Sequence, residues 1–431
     1  MVLIAAVLIC FPRSYAAADT ASGERNAEVL VITVRGVINP VASEFIIKSV
    51  EKAVAMRAEA LIIQLDTPGG LDTSMRSIVK DILGSKVPVV VYVSPSGARA
   101  ASAGVFITIA AHVAAMAPGT NIGAAHPVAI GEKLDKVMSE KAANDAAAYI
   151  KSIATQRGRN AAWAEDAVRK SVSITEKDAL ATKVIDLVAK DLDTLLKAID
   201  GKNVKLPDSE KRLNTAGAKI VVEEMGMRQK VLNIIGDPTV AYILMLLGFY
   251  GIFFELTNPG VVLPGIIGAI SLVLAFYAFQ TLPVNYAGVL LIVIGIVLFL
   301  LEVKVASYGA LTAGGVVSIT LGSVMLFDSS APFYRVSLSI ILPAAIFTAL
   351  FFFITFRLAY QAHKRKPVTG GEGLIGLQGV VLSDTGPEGG MVRVRGEIWS
   401  AWADEPIAAG ERIAVDSLKG LKVKVRKIDG G

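Results

Sequence analysis

Ser102 is the residue of this chain whose type and position first suggest chemistry. It lies in the stretch GARAASAGVFI, residues 97 to 107, among alanines and glycines and directly before an apolar run. A serine where a helix begins has its Oγ close to free backbone N–H groups and to the positive end of the helix dipole. Such a serine is either a helix N-cap or a nucleophile for acyl transfer, and the pattern by itself leaves both interpretations open.

An acyl-transfer site also needs backbone N–H groups that stabilise the oxyanion. The segment DTPGG, residues 66 to 70, ends an apolar run with paired glycines, which can turn their N–H groups toward a ligand. We therefore expect the N–H groups of Gly70 and Ala103 to be the two donors.

Two residues are candidates for the general base. Lys151 lies in the alanine-rich stretch AAAYIKSIA, where burial would lower its pKa toward the neutral form that a base requires. His126, in GAAHPV, follows Ser102 by 24 residues and needs no large pKa shift. A solvated helix position for Lys151 and a loop role for His126 are equally compatible with the spacing.

These residues lie between short β-branched runs that alternate with helical patterns. VLVITVRG, ALIIQLDTPGG and VPVVVYVSPSG read as strands, with helices over about 40–56 and 72–83 between them. Alternating strands and helices indicate a parallel sheet, and in such sheets functional loops gather at the carboxyl ends of the strands. The DTPGG loop and the Ser102 loop follow neighbouring strands, so we expect them to lie side by side.

The composition divides the chain into blocks. The 431 residues are 53% hydrophobic with a mean hydropathy of +0.57, which is too apolar for one ordinary soluble domain. Residues 26–230 are mixed and charged, whereas residues 239–358 are nearly uncharged. Residues 1–18 predict a signal peptide that is cleaved near Ala18, and the single cysteine, Cys10, lies within it. The net charge of +5 without an aromatic-rich basic run argues against nucleic acid as a partner.

Five apolar stretches within residues 239–358 predict five membrane-spanning helices, which would contact lipid. The basic run HKRK at 363–366 follows the last of them, so the positive-inside rule places the C-terminus in the cytoplasm and the first block outside, in the periplasm. We expect the second and third spans to pair through their glycines, Gly265, Gly268, Gly288 and Gly295.

The tail, residues 367–431, alternates apolar and charged residues in short runs, which predicts a small β-barrel. Trp399 and Trp402 are three positions apart and so face opposite sides of a strand, which puts at least one of them in the core. Nucleic-acid binding by such a barrel needs exposed stacking aromatics, so a protein-interaction role is favoured.

Taken together, LDTPGG, AASAG, MAPGTNIGAAHPV, AYIKSIATQRGRN and the apolar segment after NPGVVLPG resemble the NfeD family of membrane-bound serine proteases, whose protease domain is related to ClpP and signal peptide peptidase A. The resemblance implies a multidomain chain: a ClpP/crotonase-like α/β protease domain, a transmembrane domain with five helices, and an OB-like β-barrel at the C-terminus.

The resemblance also implies a Ser-Lys dyad. It matches Ser102 to the nucleophile and Lys151 to the base, ahead of Lys141 and Lys136, while the related soluble ClpP peptidases use a histidine that His126 would represent. It implies Gly70 and Ala103 as the oxyanion hole, a stomatin-like membrane protein as substrate or partner, a homo-oligomer, and no cofactor.

Two other functions are compatible with the sequence. A non-catalytic scaffold that organises stomatin-like proteins in membrane microdomains would not need Ser102. A crotonase-type acyl-CoA enzyme is disfavoured, because the first block is predicted to be external and shows no paired acidic residues in the oxyanion loops. A metal site is not expected, since His112, His126 and His363 are not at ligand spacing.

Overall fold

We describe the protein from a computed structural model, which covers residues 27–128, 135–257, 260–280, 282, 284–305, 307, 309–327, 335–364 and 371–428. The predicted signal peptide, residues 1–18, and Cys10 lie outside the described residues. In chain order the strands of the first block are β1 (Glu28–Arg35), β2 (Ala60–Asp66), β3 (Val89–Val93), β4 (Arg99–Ala101), β5 (Val113–Met116), β6 (Asn121–Gly123), β7 (Ser173–Thr175), β8 (Leu187–Val188), β9 (Asn203–Lys205), β10 (Glu210–Arg212) and β11 (Lys219–Glu223).

Helices alternate with these strands. They are α1 (Pro40–Met56), α2 (Asp72–Gly84), α3 (Ala103–Ala110), α4 (Lys136–Gln156), α5 (Ala161–Arg169), α6 (Glu176–Ala181), α7 (Leu192–Ile199) and α8 (Met227–Ile235). A side-chain oxygen of Asn39, Asp135 and Asn160 accepts a hydrogen bond from the first turn of α1, α4 and α5, which fixes where each of these helices begins.

The first block is built on a six-stranded sheet in the order β11-β1-β2-β3-β5-β8, in which all pairs are parallel. Alternate residues of its strands belong to two separate cores. On β1, Leu30, Ile32 and Val34 pack with α1 to α6, whereas Val29 and Val31 pack with α7. Because both faces are covered, the strands are near-continuous apolar runs. The parallel α/β layout predicted from the sequence is confirmed.

A small second sheet lies at the carboxyl end of the first. It has the order β4-β6-β7, with β4 and β6 parallel. Thr67, directly after β2, forms a parallel bridge to Ala100 on β4. This bridge joins the DTPGG loop to the strand that leads into Ser102.

The described residues of the apolar block form α9 (Pro238–Thr257), α10 (Val262–Phe279), α11 (Tyr286–Lys304), α12 (Ala310–Met325) and α13 (Leu338–Lys364). Among the described residues, α9 and α10 have the length and composition to cross a membrane, whereas the apolar parts of the other three are shorter. That all five cross stays a prediction.

The expected glycine pairing is wrong in detail. A Cβ at Gly268 of α10 would lie 2.8 Å from the Gly248 carbonyl of α9, and a Cβ at Gly288 of α11 would lie 2.7 Å from the Leu326 nitrogen, just beyond α12. Gly268 therefore lies against α9 and Gly288 against the end of α12, and not against each other.

The tail forms the predicted barrel. Its strands are β12 (Gln378–Gly386), β13 (Gly389–Val394), β14 (Glu397–Trp402), β15 (Arg412–Lys419) and β16 (Lys422–Lys427). They close in the order β12-β13-β14-β16-β15, and β15 pairs back onto β12. Trp399 packs against the barrel core, as expected for at least one of the two tryptophans.

Candidate active site

Ser102 lies between β4 and α3 in a conformation that serine rarely adopts. Its φ is 51° and its ψ is −113°, and its side chain makes no capping hydrogen bond to α3. A non-glycine residue in such a conformation costs about 1–3 kcal/mol and persists only where the surroundings impose it. The simple N-cap interpretation of Ser102 is therefore wrong.

The backbone on both sides of Ser102 is fixed by the small sheet. The Ser102 N–H donates to the Gly123 carbonyl at 3.2 Å, and the Ala101 N–H donates to the Thr67 carbonyl at 3.1 Å. Gly123 itself has a φ of 146°, and a Cβ there would lie 2.2 Å from the Val172 carbonyl oxygen. These contacts hold the turn at Ser102 from two directions.

The paired glycines lie beside Ser102, as the order of the strands predicted. Ile38 N–H donates to the Gly69 carbonyl at 2.8 Å, and Leu71 N–H donates to the Ile38 carbonyl at 3.0 Å, so Gly70 is pressed against Ile38. A Cβ at Gly70 would lie 2.2 Å from the Ile38 carbonyl oxygen, which leaves room only for glycine. Within the described part of the chain, the N–H groups of Gly70 and Ala103 donate to no protein acceptor.

Ser102, Gly70 and Ala103 share one cavity of about 90 Å³. Apart from Asp72 and Ser102, the residues that line it are apolar or glycine: Gly70, Met75, Ala103, Phe106, Ala125, Pro127, Val128 and Ala146. The cavity is narrow and apolar, with a hydroxyl and two unpaired N–H groups at one side. Such a lining suits an uncharged, extended peptide.

The sequence predicted that Lys151 is buried, and this prediction is wrong. Its side chain is 56% exposed, and its Nζ donates to Glu165 Oε2 on α5 at 2.8 Å. The hydrogen bonds from Lys151 and from Arg169 lower the pKa of Glu165 to about 2. Lys151 lies outside the set of residues that line the Ser102 cavity. Ala147 and Ala154, one turn before and one turn after Lys151, are buried, but the Lys151 side chain extends past them into solvent.

His126 also turns away from Ser102. Its neighbours Ala125 and Pro127 line the cavity, whereas the His126 Nδ1 lies 2.8 Å from the Val168 carbonyl at the end of α5. Nδ1 must carry the proton to donate there, which fixes the tautomer. His126 thus belongs to the loop that lines the cavity, but its side chain lies on the side of the loop that faces away from Ser102.

Another stripe of α4 faces the cavity wall. Asp145 accepts from Arg76 Nη2, and Tyr149 lies under the same guanidinium, whose carbon is 4.5 Å from the ring centroid. Arg76 also donates to Asp72, which lines the cavity, at 2.8 Å. Lys141 precedes Asp145 by one turn and so belongs to this stripe. Sequence reasoning missed this link, for which the only signal was the i,i+4 spacing of Asp72 and Arg76.

The far end of α3 is held by two arginines. Arg159 Nη1 donates to the Ile109 and Ala111 carbonyls at 2.7 and 2.9 Å, and Arg157 Nε donates to the Ala110 carbonyl at 2.8 Å. Cations suit the negative end of the helix dipole. The helix that begins at Ser102 is therefore anchored at its other end as well.

Comparison with known proteins identifies the family. Residues 28–221 match the family described as the N-terminal domain of NfeD1b, residues 239–357 the NfeD integral membrane domain, and residues 371–427 the NfeD-like C-terminal, partner-binding domain. The chain belongs to the NfeD family. The membrane-domain match makes it a membrane protein.

Two curated relatives and one solved structure illustrate the similarity. The NfeD chain is 36% identical to membrane-bound protease PH1510 of Pyrococcus horikoshii, over 92% of each chain. It is 29% identical to membrane protein NfeD1b of Bacillus subtilis, over 76% of this chain and 72% of the relative. A solved mutant of the membrane-bound stomatin-specific protease 1510-N, in complex with a substrate peptide, is 36% identical with a TM-score of 0.46; the match covers 49% of this chain and 98% of that one.

Proposed function

We propose that this NfeD protein is a membrane-bound serine endopeptidase in which Ser102 is the nucleophile. The observation that carries the proposal is the strained backbone of Ser102 at the start of α3, with an uncapped side chain in the cavity that Gly70 and Ala103 also line. Strain of this kind clusters at functional sites, because it orients a group that the relaxed backbone would turn away. A packing residue would gain nothing from it.

The contacts favour Lys141 over Lys151 as the base. Lys151 would have to leave Glu165 and cross α4 to reach Ser102, whereas Lys141 shares the stripe of Asp145 and Tyr149 that faces α2 and the cavity wall. Lys136 is the first residue of α4 and lies farther from this stripe than Lys141 does. In the dyad so formed, a lysine desolvated by a bound apolar peptide would be neutral, as a base must be.

In the proposed reaction the neutral lysine takes the Ser102 proton while Oγ attacks the scissile carbonyl. The Gly70 and Ala103 N–H groups donate to the resulting oxyanion. The protonated lysine then gives its proton to the leaving amine, and the acyl-enzyme forms. Water, deprotonated by the same lysine, then attacks the acyl-enzyme; the lysine returns this proton to Oγ as the carboxylic acid product leaves, which restores Ser102 and the neutral lysine.

The substrate we propose is an apolar segment of a stomatin-like membrane protein. The apolar lining of the cavity supports it, since a charged side chain would lose its hydration there without a partner. We further propose that all five helices α9 to α13 cross the membrane, with the protease domain outside and the barrel in the cytoplasm, and that the protein acts as a homo-oligomer.

A fluorophosphonate probe tests the nucleophile. The purified full chain in detergent should be labelled at Ser102, and Ser102→Ala should abolish both labelling and cleavage of an apolar peptide. An adduct on another residue would overturn the proposal. Full cellular function of Ser102→Ala would instead support the scaffold alternative.

Three single variants, Lys141→Ala, Lys151→Ala and His126→Ala, test the base. We expect Lys141→Ala to lower kcat by about 10²–10⁴. Lys151→Ala and His126→Ala serve as matched controls and should each stay within a few-fold of the natural protein. A large loss in Lys151→Ala with normal Lys141→Ala would restore Lys151 as the base.

A further inference from the structure

The short helix α8 presents three of its apolar residues outward. It connects β11, at one edge of the large sheet, to α9, and its exposed face carries Met227, Val231 and Ile234, which are 76%, 48% and 59% exposed. At 3.6 residues per turn these three side chains lie within about 60° of one another around the helix. We call them the outer stripe.

The inner face of α8 mixes apolar and polar side chains: Ile235 is buried, whereas Gln229 and Asn233 make hydrogen bonds. Asn233 Oδ1 accepts a hydrogen bond from Asn39 Nδ2, at the start of α1, at 2.8 Å, and Gln229 Oε1 accepts from the Gly226 N–H at 3.1 Å. A helix on the surface of a soluble domain keeps its apolar residues inside, whereas α8 buries Ile235 and leaves three large apolar side chains exposed. Water is therefore not the medium that the outer stripe fits.

Two basic residues flank the outer stripe. Helical spacing places Arg228 on one side of it and Lys230 on the other, and Lys230 Nζ also lies 2.6 Å from Glu224 Oε2. Long basic side chains beside an apolar stripe can reach lipid headgroups while their methylene groups stay with the apolar layer. The pattern is that of a helix lying in a membrane interface.

The position of α8 in the chain places it next to a candidate membrane span. α9, one of the two helices with the length and composition of a span among the described residues, begins at Pro238, and Asp237 caps it by accepting from the Thr239 N–H at 2.8 Å. The outer stripe ends four residues before the span begins. We propose that the outer stripe of α8 is embedded in the lipid interface and that the β11 edge of the large sheet faces the membrane.

Site-specific labelling tests this proposal. In a Cys10→Ser background, Val231→Cys or Ile234→Cys would carry an environment-sensitive fluorophore, and the full-length protein would be reconstituted in vesicles of phosphatidylcholine and phosphatidylglycerol. Leu180→Cys is the matched control, because Leu180 is 41% exposed but lies on α6, which packs against β8 at the opposite edge of the sheet. Lipids that carry a nitroxide quencher should reduce fluorescence at positions 231 and 234 several-fold more than at 180.

Two outcomes would overturn the proposal. One is equal quenching at positions 231 and 180. The other is efficient crosslinking between two copies through Val231→Cys without lipid quenching, which would make the outer stripe a contact between protomers.

A second comparison tests whether Arg228 and Lys230 contact lipid headgroups. In vesicles with phosphatidylglycerol, Arg228→Gln combined with Lys230→Gln should lower the quenching at position 231, whereas in phosphatidylcholine alone the change should be small. An equal effect in both kinds of vesicle would show that the two residues do not contact anionic headgroups.

Discussion

Among single residues, Gly70 has two roles in the site. Its missing side chain lets the DTPGG loop lie against Ile38, and its N–H remains free beside Ser102. Gly70→Ala would place a Cβ 2.2 Å from the Ile38 carbonyl and displace the loop. If the Gly70 N–H is an oxyanion donor as proposed, its displacement should lower kcat by about 10²–10³ in a peptide-cleavage assay, because loss of one such donor has an effect of that size.

Gly84→Ala is the matched control for Gly70→Ala. A Cβ at Gly84, the last residue of α2, would meet nothing within 4 Å, so activity should be unchanged. Equal activity in the two variants would contradict the role of Gly70.

The residues that local sequence can place were predicted well. Ser102 and Gly70 follow neighbouring strands of a parallel sheet, and the order of the strands alone brings their loops together. The exposure of Lys151 could not be predicted in this way. Whether a helix position is buried depends on what packs against that side, and here α5 supplies Glu165 from 14 residues further along the chain.

At the scale of elements, α3 is held at both ends, and His112 at its far end responds to pH. Burial, together with the neighbouring guanidinium groups of Arg157 and Arg159, lowers the pKa of His112 to about 3. The unfolded chain takes up a proton near pH 6.5, whereas the folded chain does so only near pH 3. The stability that depends on neutral His112 is therefore present above about pH 6.5 and lost as the pH falls toward 3.

This loss is on the order of 5 kcal/mol over the whole window, of which about 3 kcal/mol falls between pH 6.5 and pH 4. Thermal unfolding of the detergent-solubilised protein between pH 7 and pH 4 measures it. His112→Asn, whose amide oxygen can still accept from the Val89 N–H, should show a smaller fall in Tm. The same fall in both proteins would assign the pH dependence to other groups.

The helices of the apolar block show where element-level prediction ends. Apolar length predicts that they exist, and among the described residues α9 and α10 have the length and composition of a membrane span. Which helices pair depends on the side that each glycine faces, and hydropathy carries no information about that side. Hence the glycines of α10 were assigned to the wrong neighbour.

At the scale of the whole molecule, the barrel argues for a protein partner. Residues 371–428 contain eight basic and eight acidic residues. Lys424, Arg426 and Lys427 of β16 pair with Asp404, Asp416 and Glu411. No net positive field remains to attract phosphates.

We therefore expect the full-length protein in detergent to show no salt-dependent binding of a single-stranded oligonucleotide, measured by fluorescence anisotropy. A basic single-strand-binding protein is the positive control. Micromolar binding that weakens with salt and disappears when residues 371–431 are deleted would contradict this reading of the barrel.

Composition predicts the domain order, because charge and apolar content change sharply at the ends of the membrane block. The barrel and the sheet followed from the spacing of apolar residues. The outward apolar face of α8 did not, since a periodic stripe shows that a helix has two faces but not which one the fold buries.

The strained backbone of Ser102 lowers the stability of the fold while it orients the proposed nucleophile. A glycine adopts its φ of 51° without steric cost, whereas an alanine there keeps the strain of the serine. Ser102→Gly and Ser102→Ala should both be inactive, yet Ser102→Gly should unfold at a higher temperature, by about 1 kcal/mol in stability. Selection for stability alone would replace this serine with glycine.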